Sequence, residues 1–288
     1  MSDVWEIDFY SRPLLDENQK KIWELLVCDP DRRFEYVQTC SGSQANARWL
    51  QTELATALPL WRQALELPET AMPEKIRFFR RQMNSIITRA CTDLGIPPQP
   101  SRRTFTLYQW LKERSEKVYP QQPGFQPLAM SPLAFEASPP QPLPDALMGQ
   151  GWTFASLAAS EFAAATEWSI TFGEVFPLSR LGLSPETVVP GLIIFSSRAK
   201  PLAGWMSGLE LACLTLETEP VPQLILETGV SDRWILARLR TPQLLEEGRN
   251  FEQTKQQAGQ VHFLAVQTNP QSEDFAGFWV LQEAGSEL

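Results

Sequence analysis

Between Arg198 and Glu210 the chain reads Arg-Ala-Lys-Pro-Leu-Ala-Gly-Trp-Met-Ser-Gly-Leu-Glu, two cations leading into a tryptophan set between glycines. Glycine weakens helix and strand alike, and is kept where backbone turns sharply or approaches a neighbour closely. A flat Trp205 ring beside bare backbone, with Arg198 and Lys200 nearby, suits a stacked base and its phosphate. The same residues also fit a bulged, bent strand with Trp205 filling the core, and spacing alone favours that reading.

A second basic stretch, Lys75 to Gln82, reads Lys-Ile-Arg-Phe-Phe-Arg-Arg-Gln. As a strand, its alternation places Arg77, Phe79 and Arg81 on one face and Arg80 on the other. Arginines around Phe79 make the kind of face that holds single-stranded RNA, where rings stack on bases and guanidinium groups meet phosphates. An edge strand guarded by charge explains them equally well. Arg102 and Arg103 follow a proline-rich loop and open a predicted helix, whose N-terminus favours phosphate; simple surface solubility is the alternative. Ten cations face only four anions between Glu74 and Lys117, although the whole chain carries a net charge of −9. A local basic patch on an acidic protein follows.

Catalysis finds less support. Asp8 on a first strand and Glu53 on a first helix could begin a two-metal nuclease site, which gathers several carboxylates around a phosphate. The third acid should close the next strand, and there the sequence offers Arg80, Arg81 and Gln82. No Walker, dinucleotide, zincin or nucleophile-elbow motif is present, and His262 is the sole histidine. The reading is a non-enzyme with no metal and no cofactor. Four cysteines without a CxxC spacing fit buried thiols in a reducing, cytoplasmic compartment. No apolar run approaches the ~20 residues of a membrane span, and no secretory leader is readable at the N-terminus.

The elements that must position these residues form an α+β protein of two domains. Residues 1–119 read as a mixed sheet with helices in a ribonuclease-H-like order: strands Val4–Tyr10, Ile22–Cys28 and Phe34–Thr39, and a helix from Gln44 capped by Ser43. A strand over Lys75–Gln82 and helices Ser85–Leu94 and Phe105–Val118 complete it. Residues 120–150, rich in proline, read as a spacer. Residues 151–288 read as a largely antiparallel sheet with helices, opening on an alanine-rich helix at Thr153–Ala165 and closing on strands Val261–Gln267 and Phe275–Leu281.

Several motifs, in order, resemble one family over nearly the whole chain. They are Trp23-Glu24-Leu25-Leu26-Val27-Cys28-Asp29, Arg77-Phe78-Phe79-Arg80-Arg81-Gln82-Met83, Pro100-Ser101-Arg102-Arg103-Thr104, Val118-Tyr119-Pro120, Pro190-Gly191-Leu192, Ser197-Arg198-Ala199 through Gly208-Leu209-Glu210, His262 to Gln267, and Phe275 to Leu281. The chain resembles the Tab/Atab family of A/U-rich-RNA-binding factors of oxygenic phototrophs, in the form of a cyanobacterial member. The resemblance implies binding to the A/U-rich leader of a message, no catalysis, and support for making photosystem I and, secondarily, photosystem II reaction-centre proteins. It also implies partners at the ribosome or among photosystem assembly proteins. The family's closing Trp-Leu-Leu, tied to RNA contact, stands here as Trp279-Val280-Leu281. Two rival readings are an assembly factor docking proteins on an apolar patch around Trp205 and Met206, and a metal-dependent nuclease.

Overall fold

The computed structural model describes residues 4–127, 138–144, 149–175 and 178–283. Contacts divide the chain into two compact units that part after Phe135. The spacer expected over 120–150 lies partly outside the described residues.

The first unit opens with a meander, β1 (Val4–Leu15), β2 (Lys21–Cys28) and β3 (Glu35–Ser41), each antiparallel to the last. Helix α1 (Ala47–Ala64) then crosses to β4 (Lys75–Phe78), and α2 (Asn84–Asp93) crosses to β5 (Pro98–Pro100). Parallel neighbours need such crossovers, and β4 lies parallel to β1 as β5 does to β4. The sheet order is β3-β2-β1-β4-β5, a mixed sheet with helices on its faces, as the element order suggested. Prolines at both ends of β5 blunt one edge.

Strand alternation gives this sheet two different faces. Trp5, Ile7, Phe9, Leu25 and Val27 pack with Leu50, Leu54 and Trp61 of α1 and Ile87 of α2. Asn46 caps α1 by accepting from Trp49 N at 3.0 Å, three residues beyond the expected Ser43. The opposite face is covered by α3 (Phe105–Glu113), whose Leu107, Trp110 and Leu111 meet Leu26, Cys28 and Phe79.

Two expectations fail here. Strand β4 ends at Phe78, and Arg81–Met83 is a 3-10 turn. Arg77 and Phe79 therefore do not share an exposed strand face; both are buried. The predicted Phe105–Val118 helix turns into a π segment at Arg114–Val118. A π turn has more residues per turn than an α-helix, so it brings positions five apart together. Arg114 and Tyr119 consequently reach the same carboxylate, Glu24.

The second unit contains β6 (Gln141–Pro142), β7 (Gly151–Ala158), β8 (Ile170–Glu174), β9 (Val188–Phe195), α4 (Ala199–Ser207), β10 (Leu211–Glu217), β11 (Gln223–Thr228), β12 (Asp232–Arg238), α5 (Pro242–Gln257), β13 (Val261–Gln267) and β14 (Phe275–Gln282). Its sheets run β7-β9-β13-β14-β8 and β10-β11-β12-β6. In the larger, β9 and β13 are parallel, as are β14 and β8, while the remaining pairs are antiparallel.

The alanine-rich stretch expected as a helix is instead strand β7 followed by a 3-10 segment at Ala159–Glu167. Pairing with β9 and aromatic contacts, Trp152 on Phe154 and Phe154 on Phe251, override alanine's helix propensity. The Arg198–Glu210 run errs in the other direction: it is helix α4, not a bent strand. Pro201 is tolerated because it falls in the first turn. Gly204 packs beside Phe172, whose ring would lie 3.4 Å from an added Cβ, an ordinary contact.

Edge strand β10 turns its outer backbone groups toward side chains. Leu214 N donates to His262 Nε2 at 2.8 Å, Lys255 Nζ donates to Leu214 O at 2.9 Å, and Leu216 N donates to Glu252 Oε1 at 2.8 Å. Burial, with Lys255 adding to it, holds His262 well below its ordinary value, so the ring is neutral. Burial opposes the Lys255 ammonium, but Glu283 and Glu252 hold it above its usual value.

Candidate nucleic-acid interface

The first unit's arginines are engaged in its own structure. Arg80, two residues beyond β4, donates to Asp8 through Nε at 2.6 Å and Nη2 at 3.1 Å. Arg12 holds the other side of Asp8 at 2.8 Å and reaches Glu24 at 2.8 Å. Glu24 also accepts from Tyr119 Oη at 2.6 Å and from Arg114. Burial pushes the Asp8 carboxyl up, yet Arg80 and Arg12 outweigh it and hold it below the usual carboxylate value. The Arg80 guanidinium also lies over the Tyr10 ring, 4.0 Å from its centroid.

Arg77 is buried beside Glu6, its register partner on β1. Arg103 is buried too, with its guanidinium over Phe105. The helix N-terminus expected to attract phosphate already has an anion: Glu6 Oε2 accepts from Leu107 N at 2.8 Å. Of the arginines singled out in this unit, Arg81 is exposed, Arg80 and Arg102 are half-buried, and Arg77 and Arg103 are buried.

The nuclease geometry does not assemble. Asp8 pairs in register with Leu26, on the face under α3. Glu53 accepts from Tyr36 Oη at 2.6 Å, on the opposite face under α1. The sheet separates the two carboxylates, and the position next to Asp8 belongs to Arg80 and Arg12. Among the described residues, no group of three or more His, Cys, Asp or Glu could hold a metal ion.

The second unit distributes its residues differently. Arg198 caps α4 and Lys200 sits in its first turn, both exposed, and among the described residues neither has an ion-pair partner. Trp205 is half-buried seven residues after Arg198. A seven-residue step returns to almost the same helix face, so cation and ring share a side. Trp234 of β12, which no motif marked, meets Trp205 edge to face with centroids 5.2 Å apart. Met206 is fully buried, so the apolar patch expected around Trp205 and Met206 does not form.

Trp279, Val280 and Leu281 are buried in β14, between β13 and β8. An outward, stacking Trp279 is therefore not what the fold presents. Its ring instead covers Gly277, where an added Cβ would stand 2.3 Å from the ring and 2.9 Å from Ala203 of α4. Trp279 and Leu281 form part of the bed on which α4 rests, while Val280 packs on the other face with Phe263 and Phe278.

Two family models match the chain: RNA-binding protein Tab2/Atab2 N terminal over residues 4–114, and RNA-binding protein Tab2/Atab2, C-terminal domain over residues 130–282. The TAB2 homolog, chloroplastic, of Zea mays is 41% identical over 283 residues, covering 96% of this chain and 70% of that protein. The protein of the same name from Arabidopsis thaliana is 39% identical, covering 96% and 74%. No solved structure matches significantly. With both domain models in order along the chain and curated relatives at this identity, the chain belongs to the Tab2/Atab2 family of RNA-binding proteins.

Proposed function

We infer that this protein binds A/U-rich single-stranded RNA without cleaving it, through the outward side of α4, and thereby supports synthesis of photosystem reaction-centre proteins. One observation carries the placement: Arg198 and Lys200 stand exposed at the start of the helix that carries half-buried Trp205, neither with an ion-pair partner among the described residues, whereas Arg80 and Arg114 are held by buried carboxylates. The message class and the photosystem role rest on the family resemblance. The partners that it implies are the A/U-rich message leader and proteins of the ribosome or of photosystem assembly.

The test is a salt series with a labelled A/U-rich RNA. Phosphate contacts release counterions, so two lost contacts on a single strand lower the log–log slope by about 1.4. The double variant Arg198→Ala, Lys200→Ala is expected to show that drop with an unchanged melting temperature. A slope equal to wild type would remove α4 from the interface and return attention to Arg81 and Arg102.

A further inference from the structure

Trp205 and Trp234 meet with their ring planes at 79°. Two indoles at right angles make a corner, with one ring as floor and the other as wall. The wall is fixed: Trp234 Nε1 donates to Thr228 Oγ1 at 3.1 Å, and Thr228 is itself buried. The Trp205 indole N–H makes no hydrogen bond among the described residues, yet it is not buried. Buried indoles usually find a partner for that donor, so one left open at a half-buried ring is available to a ligand. Arg198 lies on the same face of α4, about 10 Å along the axis at 1.5 Å per residue.

We propose that Trp205 and Trp234 form a two-walled notch for one unpaired nucleobase of single-stranded RNA, with Arg198 meeting a neighbouring phosphate. The proposal rests on the RNA-binding reading and extends it to Trp234, a residue that no motif assigned. Trp234 acts as the preorganised wall, Trp205 supplies the stacking face and a hydrogen-bond donor, and Thr228 positions Trp234. Stacking on an aromatic side chain tolerates any base, because every base has a π-face. The notch therefore contributes affinity, and sequence preference must come from elsewhere in the interface.

The experiment uses the full chain and a 12-nucleotide A/U RNA, read by fluorescence anisotropy and by photocrosslinking of the same RNA carrying 5-iodouridine. Trp205→Ala and Trp234→Ala should each weaken binding about 5- to 150-fold, the equivalent of 1–3 kcal/mol per stacked base. The salt slope should stay at the wild-type value, because no phosphate contact is lost. Thr228→Val should give a smaller loss in the same direction. Crosslinks on the wild-type chain should fall on Trp205 or Trp234, which decides the matter even where an alanine variant folds poorly. Unchanged affinity in both alanine variants, or crosslinks confined to other peptides, overturns the notch and leaves the pair as a surface for a protein partner. A wild-type chain that binds no RNA would instead defeat the RNA reading itself.

Discussion

Arg80 decides most about the first unit. It lies beside Asp8, one of the carboxylates that the nuclease reading used, and pairs with it. Breaking a buried ion pair by removing one partner costs about 3–5 kcal/mol, because the other charge is left uncompensated. Arg80→Ala should fall near 3 kcal/mol in urea unfolding, the low end, since Arg12 remains on Asp8. The pH dependence has a fixed sign. With the Asp8 carboxyl below its ordinary value in the folded state, its contribution is complete above about pH 4, the unfolded value. It is lost as pH falls through the lowered native value. In Arg80→Ala the acid limb of the stability profile should shrink; an unchanged limb would place the acid sensitivity on other carboxylates.

Elements were legible in sequence wherever hydrophobic period and caps agreed. The meander, α1, α2 and the last two strands stand close to where alternation and helical spacing put them. The failures share one cause, tertiary contact overruling local propensity. Alanine-rich β7 is a strand because β9 pairs with it, and α4 is a helix despite Gly204 and Pro201 because its Leu202, Ala203 and Met206 are buried. Burial also decides the candidate site. Phe79 and Trp279 carry the right chemistry for stacking, and only packing places them inside. Trp234 went unmarked because no local pattern distinguishes an isolated strand tryptophan that will meet a partner across the fold. Gly277 links these elements. Gly277→Ala puts a methyl against Trp279 and Ala203, an overpacking expected to cost about 1–3 kcal/mol. The variant should also weaken RNA binding by shifting α4, while the Arg198→Ala, Lys200→Ala double variant weakens binding without that loss in melting temperature. A stable Gly277→Ala protein with normal RNA affinity would break the proposed link between the tripeptide and α4.

At the scale of the molecule, an RNA-binding chain with a net charge of −9 relies on local cations, and most of its arginines outside α4 serve the fold. Binding of this kind should be weak and strongly salt-dependent toward generic polyanions. With Asp8 and Glu53 on opposite faces of one sheet, labelled A/U-rich RNA should remain intact through prolonged incubation with magnesium or manganese. Cleavage that disappears in an Asp8→Asn, Glu53→Gln variant would overturn the non-enzymatic reading. No described helix is long and apolar enough to cross a membrane.

The side-chain seal along β10 has a kinetic consequence. Amides at a sheet edge ordinarily exchange quickly with solvent deuterium, because nothing covers them. Leu214 and Leu216 should exchange slowly, each opening only when His262 or Glu252 releases it. His262 must be neutral to accept from Leu214 N, and its folded value lies well below the ordinary 6.5. The unfolded and locally opened forms bind a proton that the closed form refuses, so protection is greatest above about pH 6.5 and declines below it. Corrected for the intrinsic rate, the Leu214 amide should lose protection between pH 7.5 and pH 5 more steeply than Leu216, whose amide donates to Glu252 and not to the histidine. Equal slopes for the two amides would mean that the edge opens as one unit, with α5 and β13 leaving together.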